Sequence, residues 1–219
     1  MNTASTPQVT LLCLVRHGET DWNAEGRVQG QTDVPLNAAG TAQASAVGAA
    51  LAGERFAAIY SSDLTRVRQT AQPAAQRLGL AVRCDAALRE RHYGMFETHT
   101  YAEVRERFPE DYARFRKKEL DYDFRGGESL RVFNQRALGC VRSLAGRHPG
   151  ESILVFTHGG VLEMVYRHAT ALGLSTPREF EIPNAAINWV EVSAESWSVR
   201  RWAERAHLEN TLDDLPEQA

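Results

Sequence analysis

Two short apolar runs in this chain each stop at a histidine followed by glycine. Leu12-Cys13-Leu14-Val15 leads into Arg16-His17-Gly18-Glu19-Thr20, and Leu154-Val155-Phe156-Thr157 leads into His158-Gly159-Gly160. A continuous apolar run bounded by turn residues reads as a strand buried on both faces, the kind found in parallel sheets. Glycine directly after it lets the backbone turn sharply, so each run presents an imidazole at the rim of a sheet. The pattern occurs twice, with Arg16 alongside, and predicts two imidazoles facing one pocket that admits an anion.

The rest of the chain alternates strands with helices. Strands are expected at Val9 to Val15, Ala57 to Ser61, Ala81 to Cys84 and Ser152 to Thr157. A hairpin or antiparallel edge is expected from Ala186 to Val192 and Ser198 to Trp202. Glu19 to Pro35 reads as a polar loop, and Asn37 as the N-cap of a helix from Ala38 to Leu51. Asp63 reads as the cap of a helix through about Arg77, kinked or broken at Pro73. Thr100 to Phe108 and Tyr112 to Lys118 form helices of a charged lid or insert at about 97–128. A long amphipathic helix opens at Glu128 or Ser129 and runs to about His148, and another spans Val161 to Leu172.

This order argues for an α/β fold: a three-layer α/β/α sandwich with a mixed, mostly parallel sheet and a small helical insert. Residues 9–206 are expected to form one domain, with 1–8 and 210–219 as flexible tails. In such sheets ligands bind beyond the carboxyl ends of the strands. His17, Ser61-Ser62, Arg89-Glu90 and His158 all follow a strand, so four segments deliver polar groups to one edge.

Bulk properties set limits on function. The 219 residues are 43% hydrophobic, enough for a substantial core, and the net charge of -3 favours neither nucleic acid nor a membrane surface. No apolar run approaches the roughly 20 residues that span a bilayer, and no basic-then-apolar leader is present. The expectation is a cytoplasmic protein, a monomer or homodimer. Cys13, Cys84 and Cys140 read as reduced core thiols rather than a disulfide frame or metal site. All but two of the 25 cations are arginine, the better bidentate phosphate clamp, although codon bias accounts for most of them.

A neutral His17 can attack phosphorus in line, given the right tautomer and neighbours that neutralise the phosphoryl charge. A protonated His158 can hold an equatorial phosphoryl oxygen, and the glycines after it let backbone amides approach the anion. Arg66, near the start of a helix, adds a fork of donors to a terminus that already favours anions. Glu90 can give a proton to a leaving alcohol if burial and the anion raise its affinity for that proton. Asn23, Gln29 and Gly30, in the loop after the first histidine, can donate hydrogen bonds to the phosphate. Each residue alone has a plainer reading: a turn-capping histidine, a geometric glycine, a solvated arginine, a surface ion pair. That plainer reading is kept for His92, His99, His148, His168 and His207, for Arg68 and Arg77, and for the basic run Arg114 to Lys118.

Together these residues resemble the histidine phosphatase superfamily, the phosphoglycerate-mutase-like clan. The first block is Leu14 to Asn23, continued by Gly26 to Asn37; the second is Ser61 to Ala71; the third is Leu88 to Gly94; the fourth is Thr157 to Val161. The resemblance implies that His17 is the phosphorylated nucleophile, that Arg16, Arg66 and His158 form the phosphate pocket, and that Glu90 is the proton donor. It implies that Asn23, Gln29, Gly30 and Gly159 line the phosphate side and that Tyr93 contacts substrate. It also implies neither a metal nor an organic cofactor, and a small phosphorylated metabolite as partner.

Departures bear on the branch. The cofactor-dependent phosphoglycerate mutases carry a long insert with paired arginines after the third block, whereas Tyr101 to Glu128 is short here. Their substrate lysine is Tyr101 here, and their His-Gly-Asn is His158-Gly159-Gly160. A mutase must hold a bisphosphorylated intermediate, so losing those cations favours water as acceptor. Gly126-Gly127-Glu128-Ser129 resembles the phosphatase branch, while Glu90 to Gly94 is mutase-like, and Thr98-His99-Thr100 stands where a glycine is common. The expectation is a phosphatase of small phosphomonoesters. The alternatives are a phosphoglycerate mutase and, further off, a protein phosphatase or regulatory binding module.

Overall fold

A computed structural model describes residues 8–209. Four strands run parallel: β1 (Thr10–Arg16), β2 (Ala58–Ser61), β3 (Val82–Cys84) and β4 (Ser152–Thr157). β5 (Ile187–Val192) lies antiparallel to β1, and β6 (Trp197–Glu204) antiparallel to β5. The sheet order is β3-β2-β4-β1-β5-β6. The helices are α1 (Asp21–Ala24), α2 (Ala38–Ala50), α3 (Thr65–Leu78), α4 (Tyr101–Arg107), α5 (Pro109–Arg116), α6 (Leu130–Gly146) and α7 (Gly159–Ala169). The expected tails fall largely outside the described residues. Among those residues, no helix is long and apolar enough to cross a membrane.

Alternation along β1 builds three layers. Leu12 and Leu14 pack with residues of α6 and α7, while Cys13 and Val15 pack with residues of α2 and α3. All four are fully buried, and burying a side chain of this kind contributes about 1.5–3 kcal/mol. That explains why the run is continuous rather than alternating. The pairing register matters more for function. Arg16 lies opposite Thr157, and the His17 amide donates to the Thr157 carbonyl at 2.9 Å. The next residue on each strand is therefore a histidine, and both leave the sheet at the same level.

Between residues 97 and 128, α4 and α5 close over a small apolar cluster of their own. Val28, Phe96, Val104, Tyr122 and Phe124 are its buried members, flanked by Tyr93, Phe108 and Phe115.

Several local expectations are corrected. Asp63 does not cap α3; its carboxylate takes a bidentate pair from Arg89, at 2.7 and 2.6 Å. The cap comes from the distant loop residue Asp33, which accepts from the Thr65 amide and hydroxyl, each at 2.7 Å. Pro73 neither breaks nor ends α3, which is continuous to Leu78. Its backbone packs against Gly48 of α2, where any Cβ would come within 2.9 Å, so close helix packing overrides the local penalty. The polar loop contains α1, capped by Thr20 with Asn23 reciprocating. The second lid helix begins earlier, with Pro109 at its first turn, and the last helix starts at Gly159 rather than Val161. Cys84 is exposed, because β3 is a short edge strand; Cys13 and Cys140 are buried.

Candidate active site

The His17 and His158 rings lie 5.2 Å apart, centroid to centroid, at 66°. His17 is 4% exposed and His158 fully buried. The His17 Nδ1 lies 2.7 Å from the Gly18 carbonyl. A carbonyl only accepts, so Nδ1 carries the proton and Nε2 keeps its lone pair. Burial and the charges of Arg66 and Arg16 hold His17 well below the ordinary histidine range. It is a neutral imidazole with a defined tautomer, as nucleophilic attack requires.

His158 departs from expectation. Burial comes first, then the charges of Arg66, His17 and Arg16, and together they push it well below the histidine range too. Arg66 Nη2 donates to its Nδ1 at 3.3 Å, so its proton sits on Nε2, which donates to Ser62 Oγ at 2.9 Å. His158 is thus a neutral donor rather than an imidazolium. A dianion between the two rings and the two guanidiniums has to supply the negative charge before a second proton is favoured.

Both arginines are anchored through their terminal nitrogens. Arg66, fully buried on α3, donates to the carbonyls of Thr32 at 2.9 Å and Gly30 at 2.8 Å. Arg16 donates to the Ile182 carbonyl at 2.5 Å. The Nε atoms of both are buried with no protein partner. Desolvation pulls each guanidinium down to about 10, which leaves both cationic at neutral pH. An anion that accepts from two orphaned N–H groups removes a cost of about 1–3 kcal/mol for each.

Glu90 stands across the pocket on the loop after Leu88. Its Oε1 accepts from the Arg91 amide at 2.7 Å and its Oε2 from the Gly160 amide at 2.8 Å. A Cβ on residue 160 would overlap that carboxylate at 2.0 Å, so glycine is needed for the close approach. Gly159 opens α7 beside the Arg16 guanidinium, 3.4 Å from its Cβ direction.

The loop residues are placed less as foreseen. Gly30 adopts φ +52, and its carbonyl anchors Arg66; its shown role is to position the arginine. Asn23 uses its Oδ1 to accept from Thr20, at 3.2 Å from the amide and 3.1 Å from the hydroxyl, so contact with an anion has to come from its Nδ2. Gln29 is buried, with Oε1 unpartnered. Tyr93 lies at the insert side, edge-on to Phe124 at 5.3 Å. Burial and the charge of Glu90 push its hydroxyl well up, so it stays protonated.

Four residues that position the site were missing from the expected set. Ser62 holds His158, and it had a signal, since it directly follows a strand as the histidines do. Thr70 accepts from the Gly18 amide at 2.9 Å and donates to the Arg66 carbonyl at 2.7 Å, which ties α3 to the first turn. Glu97 organises the loop by accepting from the amides of Gln31, Thr32 and Tyr93. Asn184 donates to the His17 carbonyl at 3.0 Å. Nothing in the sequence marks Glu97 or Asn184.

Known proteins resemble this chain in both sequence and fold. The sequence pattern of the histidine phosphatase superfamily (branch 1) matches residues 12–205. Phosphoglycerate mutase-like protein 4 of Arabidopsis thaliana is 39% identical over 204 residues, covering 91% of this chain and 87% of that protein. The metal-independent phosphoserine phosphatase of the same plant is 36% identical over 210 residues, covering 92% and 84%. The solved structure of Bacillus stearothermophilus YhfR superposes with a TM-score of 0.85 at 33% identity, covering 91% of this chain and all of that one (100%). With two neutral imidazoles at adjoining strand ends and two buried guanidiniums beside them, the chain belongs to the histidine phosphatase superfamily.

Proposed function

We propose that this protein hydrolyses small phosphomonoesters through a phosphohistidine on His17. The observation that carries the reading is the pair of buried guanidinium Nε–H groups without acceptors, next to a His17 ring whose Nε2 lone pair is unprotonated. Arg16 and Arg66 cradle the phosphoryl oxygens, and His158, oriented by Ser62, completes the pocket beside His17. His17 Nε2 attacks phosphorus, the ester P–O bond breaks, and Glu90 gives its proton to the departing alkoxide. Glu90 then takes a proton from water, which attacks the phosphohistidine and releases phosphate. The amides at the start of α7, including that of Gly159, favour the negative charge that passes through. Asn23, Gln29 and Gly30 line the phosphate side, and Tyr93 faces the remainder of the substrate.

A relative named as a metal-independent phosphoserine phosphatase supports a small phosphorylated metabolite as substrate. Water as acceptor, rather than a mutase's second phosphoryl exchange, is supported by Tyr101 standing where the mutases carry lysine. Three unpaired cysteines suit a reducing cytoplasm. The unit of residues 9–206 carries the whole reaction, with 97–128 as its lid. Rapid quench with labelled ester tests this: base-stable, acid-labile phosphate accumulates on the wild type and is absent from His17→Ala. Full hydrolysis by His17→Ala, or product formation that requires a bisphosphoglycerate primer, overturns it.

A further inference from the structure

Glu163 lies on α7 four residues beyond Gly159, one helical turn above the residues that touch Arg16 and Glu90. Three cations share this one carboxylate. Arg167 Nη2 lies 2.8 Å and Lys118 Nζ 3.3 Å from its Oε1, and Arg178 Nη1 lies 3.6 Å from its Oε2. One negative charge against three positive leaves an excess at the rim of a pocket that already holds two guanidiniums. Partial burial, then repulsion from Arg167 and Arg178, lowers the Lys118 ammonium.

The three are not equally committed. Arg167 is 1% exposed and also donates to the Gly173 carbonyl at 2.7 Å, so it is structural. Lys118 reaches from the insert to both Glu163 and the Thr176 carbonyl, at 3.3 Å each, and so links the insert to the loop after α7. Arg178 is 47% exposed, and 3.6 Å is too long for a hydrogen bond. Its loop also carries Ile182 and Asn184, which hold Arg16 and the His17 carbonyl. Its charge acts on both Arg16 and the Tyr101 hydroxyl.

We propose that Arg178, assisted by Lys118, forms a second anion subsite that takes the carboxylate of the substrate, so that the enzyme selects phosphorylated carboxylic acids over phosphate esters that lack a carboxylate. A planar carboxylate matches the guanidinium fork, and a monoanion is repelled less by neighbouring Glu163 than a second phosphoryl dianion is. The subsite rests on the phosphatase reading above.

O-phosphoserine and phosphoethanolamine differ by that carboxylate alone, so the ratio of their kcat/KM values isolates it. Arg178→Met is expected to lower the ratio about ten- to a hundred-fold, chiefly through KM for phosphoserine. Arg178→Lys recovers part of the loss, and Lys118→Met lowers the ratio by less. An unchanged ratio in both Met variants, or a wild type that turns over the two esters equally, overturns the subsite. A wild type that hydrolyses neither ester, nor p-nitrophenyl phosphate, overturns the phosphatase reading and the subsite with it.

Discussion

The phosphoryl pocket and the insert over it are built by opposite means. In the pocket, side chains are tied to backbone: His17 to Gly18, Arg16 to Ile182, Arg66 to Gly30 and Thr32, Glu90 to the amides of Arg91 and Gly160. In the insert the ties run between side chains, Arg114 to Glu119 in the open and exposed Arg125 to the buried carboxylate of Asp111, over an aromatic cluster that is small beside the two flanking the sheet. Exposed ion pairs contribute at most about 1 kcal/mol each, whereas backbone anchors fix a side chain with no partner entropy to lose. On the proposed mechanism phosphoryl transfer sits on the rigid, backbone-anchored part, and the insert is the softer one.

Glu90→Gln gives the largest effect and tests the rigid side. It should lower kcat for an alkyl phosphate about 10²- to 10⁴-fold, and far less for p-nitrophenyl phosphate, whose leaving group needs no proton. Equal losses on the two esters would make Glu90 a positioning group instead.

Phe124→Ala tests the soft side. Phe124 is fully buried and sits under the Arg91 guanidinium, 4.4 Å away. Its loss should cost about 3–5 kcal/mol of local packing. Limited proteolysis should then cut within 97–128 at temperatures where the circular dichroism of the sheet is unchanged. A single shared transition moved downward would mean that the two regions unfold together.

The two imidazoles add a pH signature confined to the pocket. Both are pushed well below the ordinary 6.5 by burial and nearby guanidiniums. As pH falls below about 6.5 the unfolded chain takes up protons that the folded pocket refuses, so stability falls with acidification by about 1.4 kcal/mol per pH unit per histidine. Urea midpoints between pH 7.5 and 5.5 measure the slope, and His17→Gln should flatten it; an unaltered slope would place the titration elsewhere. Thr98→Gly is the smallest change. Thr98 holds φ +73, so glycine there should raise the unfolding free energy by about 1 kcal/mol with the KM for p-nitrophenyl phosphate unmoved.

What could be read from the chain follows the range of the forces involved. The strand ends at Arg16 and Thr157 announce themselves, because a doubly buried strand must be apolar throughout and a turn must follow. The blocks around Arg66 and Glu90 were legible as a family pattern. The Asp33 cap and the Ile182 carbonyl were not, since each meets its partner only after folding, 166 residues apart in the case of Arg16 and Ile182. That α3 runs on unbroken past Pro73 was not legible, because a local rule knows nothing of Gly48 across the helix pair. The lowered proton affinity of His158 was not legible, because burial sets it first and guanidiniums from other segments add to it.

The alignment of β1 with β4 serves as a vernier for the reaction. Inserting or deleting one residue in either strand would carry its terminal ring about 3.3 Å along the sheet and turn it to the opposite side. The apolar interior, rich in interchangeable aliphatic groups, would tolerate such a slip far better than the chemistry. Length changes in this lineage should therefore accumulate in the connections and spare these two ladders, even where the aliphatic identities drift.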